Sequence, residues 1–333
     1  MGLGLSWAIA QPAPGPPADP RDQQLELNLD PQRVVGPDAC SKCHAAEVQV
    51  WKNTPHFHTF ATLHRRPEAR QIADRMGISE FRRDSACTQC HYTMQTQPDG
   101  RLQAIAGVSC ESCHGAARDW LEIHNDYGGP GVTREQESAQ HRLQRLQRSI
   151  AAGMRNPVNV YLVARSCYRC HTVPDERLVN VGGHRPGSLD FELVSWSQGT
   201  LRHNFLRGDG HTNAPSAPDR LRTMFVAGII ADLEFSLRAA AKATAEDKFA
   251  IVSAQRADRA SRRLQAIEAK THVPLLRDIL HIYQQVDMSL GNQAAMAAAA
   301  DEIAALGIRF AAQTDPQALE PIEAYIPQPS VWK

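Results

Sequence analysis

The chain has 333 residues, a formal net charge of zero at pH 7 and 42% hydrophobic residues. This balance excludes the strongly basic composition that is typical of proteins that bind nucleic acid or anionic membrane surfaces. The length allows one large domain or two modest ones. Because no run of 18 apolar residues occurs in the chain, we expect no membrane-spanning helix.

The first residues are typical of the end of a signal peptide. Apolar residues recur between Leu3 and Ile9, and Ala8-Ile9-Ala10 fits a small-x-small cleavage site. The basic segment that opens a signal peptide is missing, so we expect the natural start to lie upstream. We assign residues 1–10 to a signal-peptide remnant, and residues 11–37, which are rich in proline, to an extended linker.

Four copies of Cys-x-x-Cys-His follow, and they use all eight cysteines of the chain. Chance predicts about 0.01 copies for this composition. Two thiols at this spacing lie on one face of a helical turn, where each can form a thioether with a haem, and the adjacent histidine then reaches the iron. We therefore predict four covalent haem c groups, attached through Cys40 and Cys43, Cys87 and Cys90, Cys110 and Cys113, and Cys167 and Cys170. The predicted proximal ligands are His44, His91, His114 and His171.

Zinc is the alternative ligand for paired Cys-x-x-Cys sequences. It does not require a histidine directly after every pair, whereas all four pairs here have one. A thioredoxin-like redox pair explains none of the repetition. We therefore favour haem, which also suits a chain with only 6% aromatic residues, because haems can replace part of the apolar core.

Short helices are predicted around the first three motifs. A helical stretch runs from the first motif to about Leu63 and is broken at Pro55. A second helix is expected over Pro67–Met76, with Gly77 as its stop. A hairpin-like turn at Pro98-Asp99-Gly100 separates the second motif from the third.

Two further helices lead to the fourth motif. Thr133 and Gln136 form a capping box for a helix that ends at Gly153. Asn156-Pro157 opens a short helix that delivers the fourth motif. Beyond it, Phe191–Val194 is expected to be strand-like or irregular.

From about Pro218 the chain becomes rich in alanine, leucine and arginine. Apolar residues recur at helical spacing from Leu221 to Leu237, and three further helices are expected at about 246–269, 273–286 and 292–311. The tail from Pro321 is expected to be extended. The predicted fold is mostly α: a tetrahaem cytochrome domain with little regular structure at 38–212, then a helical bundle or hairpin at 213–333. These C-terminal helices are candidates for homo-oligomerisation, docking or covering the core.

Ten histidines remain as candidates for distal haem ligands. His56 follows the first motif between aromatic residues, and His124 comes soon after Trp120. His184 follows two glycines, where the backbone can approach a haem closely. These three and His203 are the predicted distal ligands. His58 and His211 are left undecided, and we expect solvated or structural roles for His64, His141, His272 and His281.

This arrangement resembles the cytochrome c554 family of tetrahaem cytochromes. The four motifs, Trp51-x-x-Thr54-x-His56, the run 107–115 and Gly183-His184 carry the resemblance, over about residues 38–206. It implies that three haems have two histidine ligands. By position, His56 would serve the haem of Cys110, His124 that of Cys40, and His184 that of Cys167. The haem of Cys87 can lack a protein distal ligand in this family, and His203 is the candidate that the sequence offers for it.

Three functions are compatible with this pattern. The first, which we favour, is an electron carrier between redox partner proteins. The second is a haem enzyme that acts on a small nitrogen or sulfur species at an open second haem, with Tyr92, Asp84 or one of the unassigned histidines as proton donor. The third is a subunit of an extracellular haem filament, in which a surplus histidine such as His211 binds a neighbour's haem. Haem is attached outside the cytoplasm, so we expect a periplasmic or extracellular protein.

Overall fold

The computed structural model describes residues 25–83 and 86–333 of the chain. The signal-peptide remnant, most of the linker and Asp84 lie outside the described residues, so these assignments remain predictions. The described residues form a mostly α-helical fold, as predicted. Their helices and strands are α1 Pro37–Ser41, α2 Ala45–Lys52, α3 Pro55–Thr62, α4 Pro67–Met76, α5 Thr88–His91, β1 Thr93–Thr96, β2 Leu102–Ala106, α6 Cys110–His114, α7 Leu121–His124, α8 Ala139–Ala151, α9 Val160–His171, α10 Glu176–Asn180, α11 Leu193–Ser197, α12 Pro218–Ala240, α13 Lys248–Thr271, α14 Pro274–Gln284 and α15 Gln293–Gln313.

Local sequence signals explain the elements around the first three motifs. Pro55 begins α3, and the hydroxyl of Thr54 caps that helix by accepting from the Phe57 backbone N–H. Helix α4 has the predicted bounds, and Gly77 ends it with a φ of 70°. The predicted turn joins β1 and β2 into an antiparallel hairpin. These predictions are confirmed because each depends on residues that are adjacent in sequence.

Four predictions about local structure are wrong. Asn156-Pro157 does not open the helix of the fourth motif: α9 begins at Val160, and the Asn159 side chain caps it by accepting from the Leu162 backbone N–H. Thr133 and Gln136 form a turn, and α8 begins only at Ala139 because the Ser138 hydroxyl caps it. The segment predicted as a strand enters α11, where the carboxylate of Glu192 accepts from two backbone N–H groups of the first turn. The tail is not extended but forms 3₁₀ turns over Pro316–Tyr325 and Pro329–Val331. Two of its apolar side chains, Leu319 and Ile322, are fully buried, and this burial holds the turns against the bundle.

The C-terminal helices form a bundle around α12. Helix α12 packs against α13, α15 and α9, so the helix that carries the fourth motif belongs to the same packed unit as the bundle. The predicted apolar stripe is buried at Phe225, Ile229, Leu233 and Leu237. Its residues therefore provide core packing. The domain boundary at residue 212 and the homo-oligomerisation of these helices remain predictions.

A buried polar network joins α9 to α12. Glu234 is fully buried, and its carboxylate accepts from the Tyr161 hydroxyl at 2.5 Å, from Arg238 Nε at 2.7 Å and from Arg165 through two nitrogens. A buried carboxylate is tolerated only when its oxygens are satisfied in this way. The network therefore fixes the position of the fourth motif relative to the bundle. Within the described ranges, no helix is both long and apolar enough to cross a membrane.

Candidate haem-binding site

The four Cys-x-x-Cys-His motifs all lie in the described part of the chain and have helical local structure. The third motif is itself α6, and the fourth ends α9. In the first two motifs, the backbone N–H of His44 and of His91 donates to the carbonyl of the first cysteine, at 2.9 Å and 3.0 Å. Each motif therefore forms the turn that presents two sulfurs and one imidazole on the same side. None of the eight cysteines is in a disulfide.

Each predicted proximal histidine faces one of the four predicted distal candidates. The distances between ring centroids are 6.2 Å for His44 and His124, 6.5 Å for His91 and His184, 6.3 Å for His114 and His203, and 6.2 Å for His171 and His56. The four distances agree to within a few tenths of an ångström although the rings come from unrelated loops and helices. The uniform spacing indicates four sites of one kind.

This spacing fits an iron with an imidazole on each face. An imidazole nitrogen binds a first-row metal at about 2.0 Å and lies about 1.1 Å from its ring centre, so two ligands across one ion have centroids about 6 Å apart. Within residues 25–83 and 86–333, no three or more His, Cys, Asp or Glu side chains are grouped to hold a metal ion. The residues present therefore fit haem c and do not fit the closed four-ligand zinc site.

Buried imidazoles here are neutral, which is the form that binds a metal. Burial lowers the pKa of His91, His114 and His171 to about 4. Burial also lowers the pKa of His56 and of His124. At neutral pH these rings carry no proton that would have to leave before ligation.

Backbone carbonyls orient four of the eight rings. The Nδ1–H of His114 donates to the carbonyl of Arg155 at 3.1 Å, that of His184 to Arg185 at 2.6 Å, and that of His203 to Leu201 at 2.7 Å. His124 makes the same bond to Leu121. A proton fixed on Nδ1 leaves the lone pair on Nε2, which is then the nitrogen available to bind a metal. His44 differs, because its Nδ1 lies 3.7 Å from the carboxylate of Glu47.

The structure pairs three of the candidates differently from the expectation, which rested on the family resemblance for His56 and His184 and on the sequence alone for His203. Only His124 faces the expected partner, His44. His56 faces His171 rather than His114, His184 faces His91 rather than His171, and His203 faces His114 rather than His91. Each of the four distal candidates thus lies opposite a proximal histidine, but three of them lie opposite a different one from that expected. Two close backbone contacts account for the positions of His56 and His184.

The first contact places His56. Val108 N–H donates to the His56 carbonyl at 3.1 Å, and a Cβ added to Gly107 would lie only 2.2 Å from that oxygen. The hydroxyl of Thr59 also donates to the carbonyl of His91 at 2.9 Å. Helix α3 is therefore held between the second and third motifs, and the His56 ring reaches the fourth.

The second contact places His184. Arg75 of α4 donates from Nε to the Gly182 carbonyl at 2.8 Å, and Met76 lies where a Cβ of Gly182 would be. Gly183 has a φ of 72°, a conformation that glycine adopts without strain. The glycine turn therefore docks on α4 and carries His184 away from the fourth motif and towards His91.

Contacts between thiols of different motifs give the order of the motifs in space. The Cys40 and Cys110 thiols are in contact, which raises the pKa of Cys40 and lowers that of Cys110. Ser166, directly before Cys167, donates to the carbonyl of Cys113 at 3.2 Å. The thiol of Cys90 contacts that of Cys170, and this contact lowers the pKa of Cys170 to about 7. The first motif therefore adjoins the third, the third adjoins the fourth, and the fourth adjoins the second.

Several residues that support the site were not identified from the sequence. Glu111, inside the third motif, is buried, and its carboxylate accepts from the backbone N–H groups of Val35, Gly36 and Ala117 at 2.8–3.0 Å. Phe191 stacks on the ring of His171 with centroids 4.1 Å apart. A charged residue between two haem-attaching cysteines is the signal that could have identified Glu111. No local pattern marks Phe191.

The remaining histidines have other surroundings. His58 lies with its ring against Phe57 at 5.3 Å, and His141 binds the carboxylate of Glu137 at 2.7 Å. His211 is exposed in a loop where Asp209 accepts from its backbone N–H at 2.9 Å. His272 ends α13 with a φ of 53°. In the described part of the chain, none of these rings faces a proximal histidine.

Comparison with known proteins gives a consistent result for the motif region. Residues 39–115 match the family model described as cytochrome c554 and c-prime. Over a stretch of 100 residues, the chain is also 33% identical to cytochrome c-554 of Nitrosomonas europaea. This stretch covers 28% of this chain and 43% of that protein. The chain thus matches less than half of the length of this relative. No solved structure gives a significant match. The predicted resemblance to the cytochrome c554 family is confirmed, and with it the expectation of covalently bound haem c.

Proposed function

We propose that this protein is a tetrahaem c-type cytochrome that carries electrons between redox partner proteins. The observation that carries the proposal is the set of four imidazole pairs with centroids 6.2–6.5 Å apart. Haem c supplies a one-electron couple at each iron when it is bound. Two histidines on each iron suit a carrier, because a six-coordinate iron changes little on reduction.

The chain's own residues would hold each cofactor in a fixed position. The eight cysteines provide covalent attachment, and His44, His91, His114 and His171 are the proximal ligands. His124, His184, His203 and His56 are their respective distal ligands in this proposal. The carbonyls of Leu121, Arg185 and Leu201 fix the proton on Nδ1 of three distal rings, and this raises the basicity of the ligating nitrogen.

The contacts between motifs support a linear path through the protein. The motifs adjoin in the order first, third, fourth, second, from the contacts of Cys40 with Cys110, Ser166 with Cys113 and Cys170 with Cys90. We therefore place the electron entry and exit points at the first and second haems. The contacts do not set the direction of electron flow along this path, because that direction depends on the reduction potentials of the partners.

The alternative of an enzyme with an open second haem is not favoured by the structure. His184 stands opposite His91 at the spacing of the other three pairs, so a substrate would have to displace an imidazole. We also propose a periplasmic or extracellular location, since the haem attachment that the motifs require takes place outside the cytoplasm.

Carbon monoxide binding to the fully reduced protein tests this function. The proposal predicts no rapid binding to the reduced protein, together with low-spin electron paramagnetic resonance signals from every ferric iron of the oxidised protein. Stoichiometric, rapid binding at one haem of the correctly matured protein would favour the enzyme and contradict the carrier.

A further inference from the structure

Exposed arginines without carboxylate partners surround helix α4. Between Arg65 and Arg83 the chain has six arginines and three acidic residues, although the chain as a whole is neutral. Arg65, Arg66, Arg70 and Arg75 are exposed, and none forms an ion pair with another described residue. We call these four residues the arginine face.

Some exposed arginines elsewhere are neutralised by neighbouring carboxylates. Arg262 pairs with Asp258 at 2.9 Å and Arg277 with Glu268 at 2.8 Å. Arg33 pairs with Asp119. The arginine face is a local positive surface because six arginines and only three acidic residues lie between Arg65 and Arg83 of a chain that is neutral as a whole.

The arginine face lies beside the turn that carries His184, the proposed distal ligand of the second haem. Arg75 binds the Gly182 carbonyl at 2.8 Å, and its guanidinium lies against Gly183, directly before His184. Arg185, which is also exposed, accepts from His184 through its carbonyl. The positive surface and one end of the proposed electron path therefore coincide.

We propose that the arginine face is the docking surface for an acidic redox protein that exchanges electrons at the second haem. The proposal rests on the carrier function proposed above. Guanidinium groups bind carboxylates through paired N–H donors, and a surface of one sign raises the rate of encounter with a partner of the opposite sign. Unpaired arginines offer their full charge to such a partner, because no internal ion pair has to break.

The test uses reduced plant-type [2Fe–2S] ferredoxin, a small acidic electron donor, as the probe. Stopped-flow reduction of the haems is compared in the parent and in a triple variant with Arg65→Gln, Arg66→Gln and Arg70→Gln. We expect the second-order rate at low ionic strength to fall about tenfold in the variant. The two rates should converge at high salt, where screening removes the attraction.

Two controls separate docking from electron transfer. A matched triple variant on the bundle, with Arg262→Gln, Arg277→Gln and Arg309→Gln, removes the same number of exposed charges and should keep the parent rate. Photoreduced lumiflavin, an uncharged donor, should reduce all three proteins equally. Slow reduction by lumiflavin in the parent would count against the carrier function itself.

The docking proposal is overturned if the ferredoxin rate is unchanged in the arginine-face variant, or if the bundle variant loses as much. It is also overturned if the arginine face binds membranes instead. In that case the parent would sediment with vesicles containing phosphatidylglycerol, the arginine-face variant would not, and their ferredoxin rates would be equal.

Discussion

The ring of His184 lies opposite that of His91 with 6.5 Å between their centroids. The sequence offers only His203, from far along the chain, as a distal ligand for the second haem. The structure gives that position to His184 and places His203 opposite His114 at 6.3 Å. In the proposed function His184 closes the second haem, and this closure is what would separate an electron carrier from an enzyme.

Replacing His184 by alanine should open the second haem. The Ala side chain cannot reach the iron, so one low-spin haem is expected to become high-spin, and the reduced variant should bind one equivalent of carbon monoxide. Electron paramagnetic resonance and a carbon monoxide titration measure both effects. The His211→Ala variant, altered in an exposed loop, should behave like the parent. A His184→Ala variant with the parent's spectrum would show that His184 is not a ligand.

Replacing His56 by alanine should open the fourth haem and leave the third unchanged. His56 faces His171 at 6.2 Å, whereas the family resemblance assigned it to the haem of Cys110. Proton NMR of the oxidised variant, with the methyl signals of each haem assigned, identifies which haem becomes high-spin. Perturbation centred on the haem of Cys110 and Cys113 would support the family-based assignment and contradict the ring geometry.

Local sequence signals were enough to find the motifs, the bounds of α4 and the four distal candidates. The partners of His56 and His184 could not be found in this way. They depend on the approach of α3 to Gly107 and on the docking of Gly182 against Met76, which bring together residues far apart in the chain. Buried polar groups such as Glu111 and Glu234 were missed for the same reason, since their partners come from other elements. The sequence thus identified the candidate ligands but not how they pair.

The mature protein should carry four covalent haems. Four complete motifs with four imidazole pairs require one haem each. Intact-mass spectrometry after denaturation should therefore give the mass of the processed polypeptide plus four haems. Loss of one haem is expected for a variant with Cys110→Ser and Cys113→Ser. Fewer than four haems in fully matured parent protein would contradict the count.

Replacing Glu111 by glutamine should destabilise the fold around the third motif. Its carboxylate accepts hydrogen bonds from the backbone N–H groups of Val35, Gly36 and Ala117. The amide NH2 group of glutamine is itself a donor, so it cannot accept from the backbone N–H group or groups that face it. We expect a loss of about 3 kcal/mol in the free energy of unfolding, measured by guanidinium chloride denaturation. Glu122→Gln, at an exposed position of α7, is the matched control and should cost almost nothing.

A buried ion pair lies beside the fourth haem site. Arg256 of α13 is only 3% exposed; its Nε donates to the Asp232 carboxylate, and its Nη1 donates to the carbonyl of Ser188 at 2.7 Å. The carbonyl of His171 is 3.5 Å from the same nitrogen. Burial raises the pKa of Asp232 even though Arg256 opposes that shift. The bundle therefore places a compensated pair of charges next to the proposed ligand of the fourth haem.

Removing Arg256 should make stability fall as pH rises above the pKa that Asp232 has in the unfolded chain. In an Arg256→Met variant, Asp232 has no cation beside it, so its pKa in the folded state rises further above that in the unfolded chain. The folded state then binds the proton more tightly, and stability falls as pH rises from the unfolded pKa through the folded one. Above that range the variant should lose about 3–5 kcal/mol, the cost of an unpaired buried charge.

Denaturation of the Arg256→Met variant from pH 5 to 9 measures the slope of stability against pH. The double variant with Asp232→Asn contains neither charge and should lose this pH dependence. Asp232→Asn alone leaves the cation near the fourth haem and should raise its reduction potential, because positive charge favours the reduced iron. A parent-like pH profile in Arg256→Met would contradict the pairing.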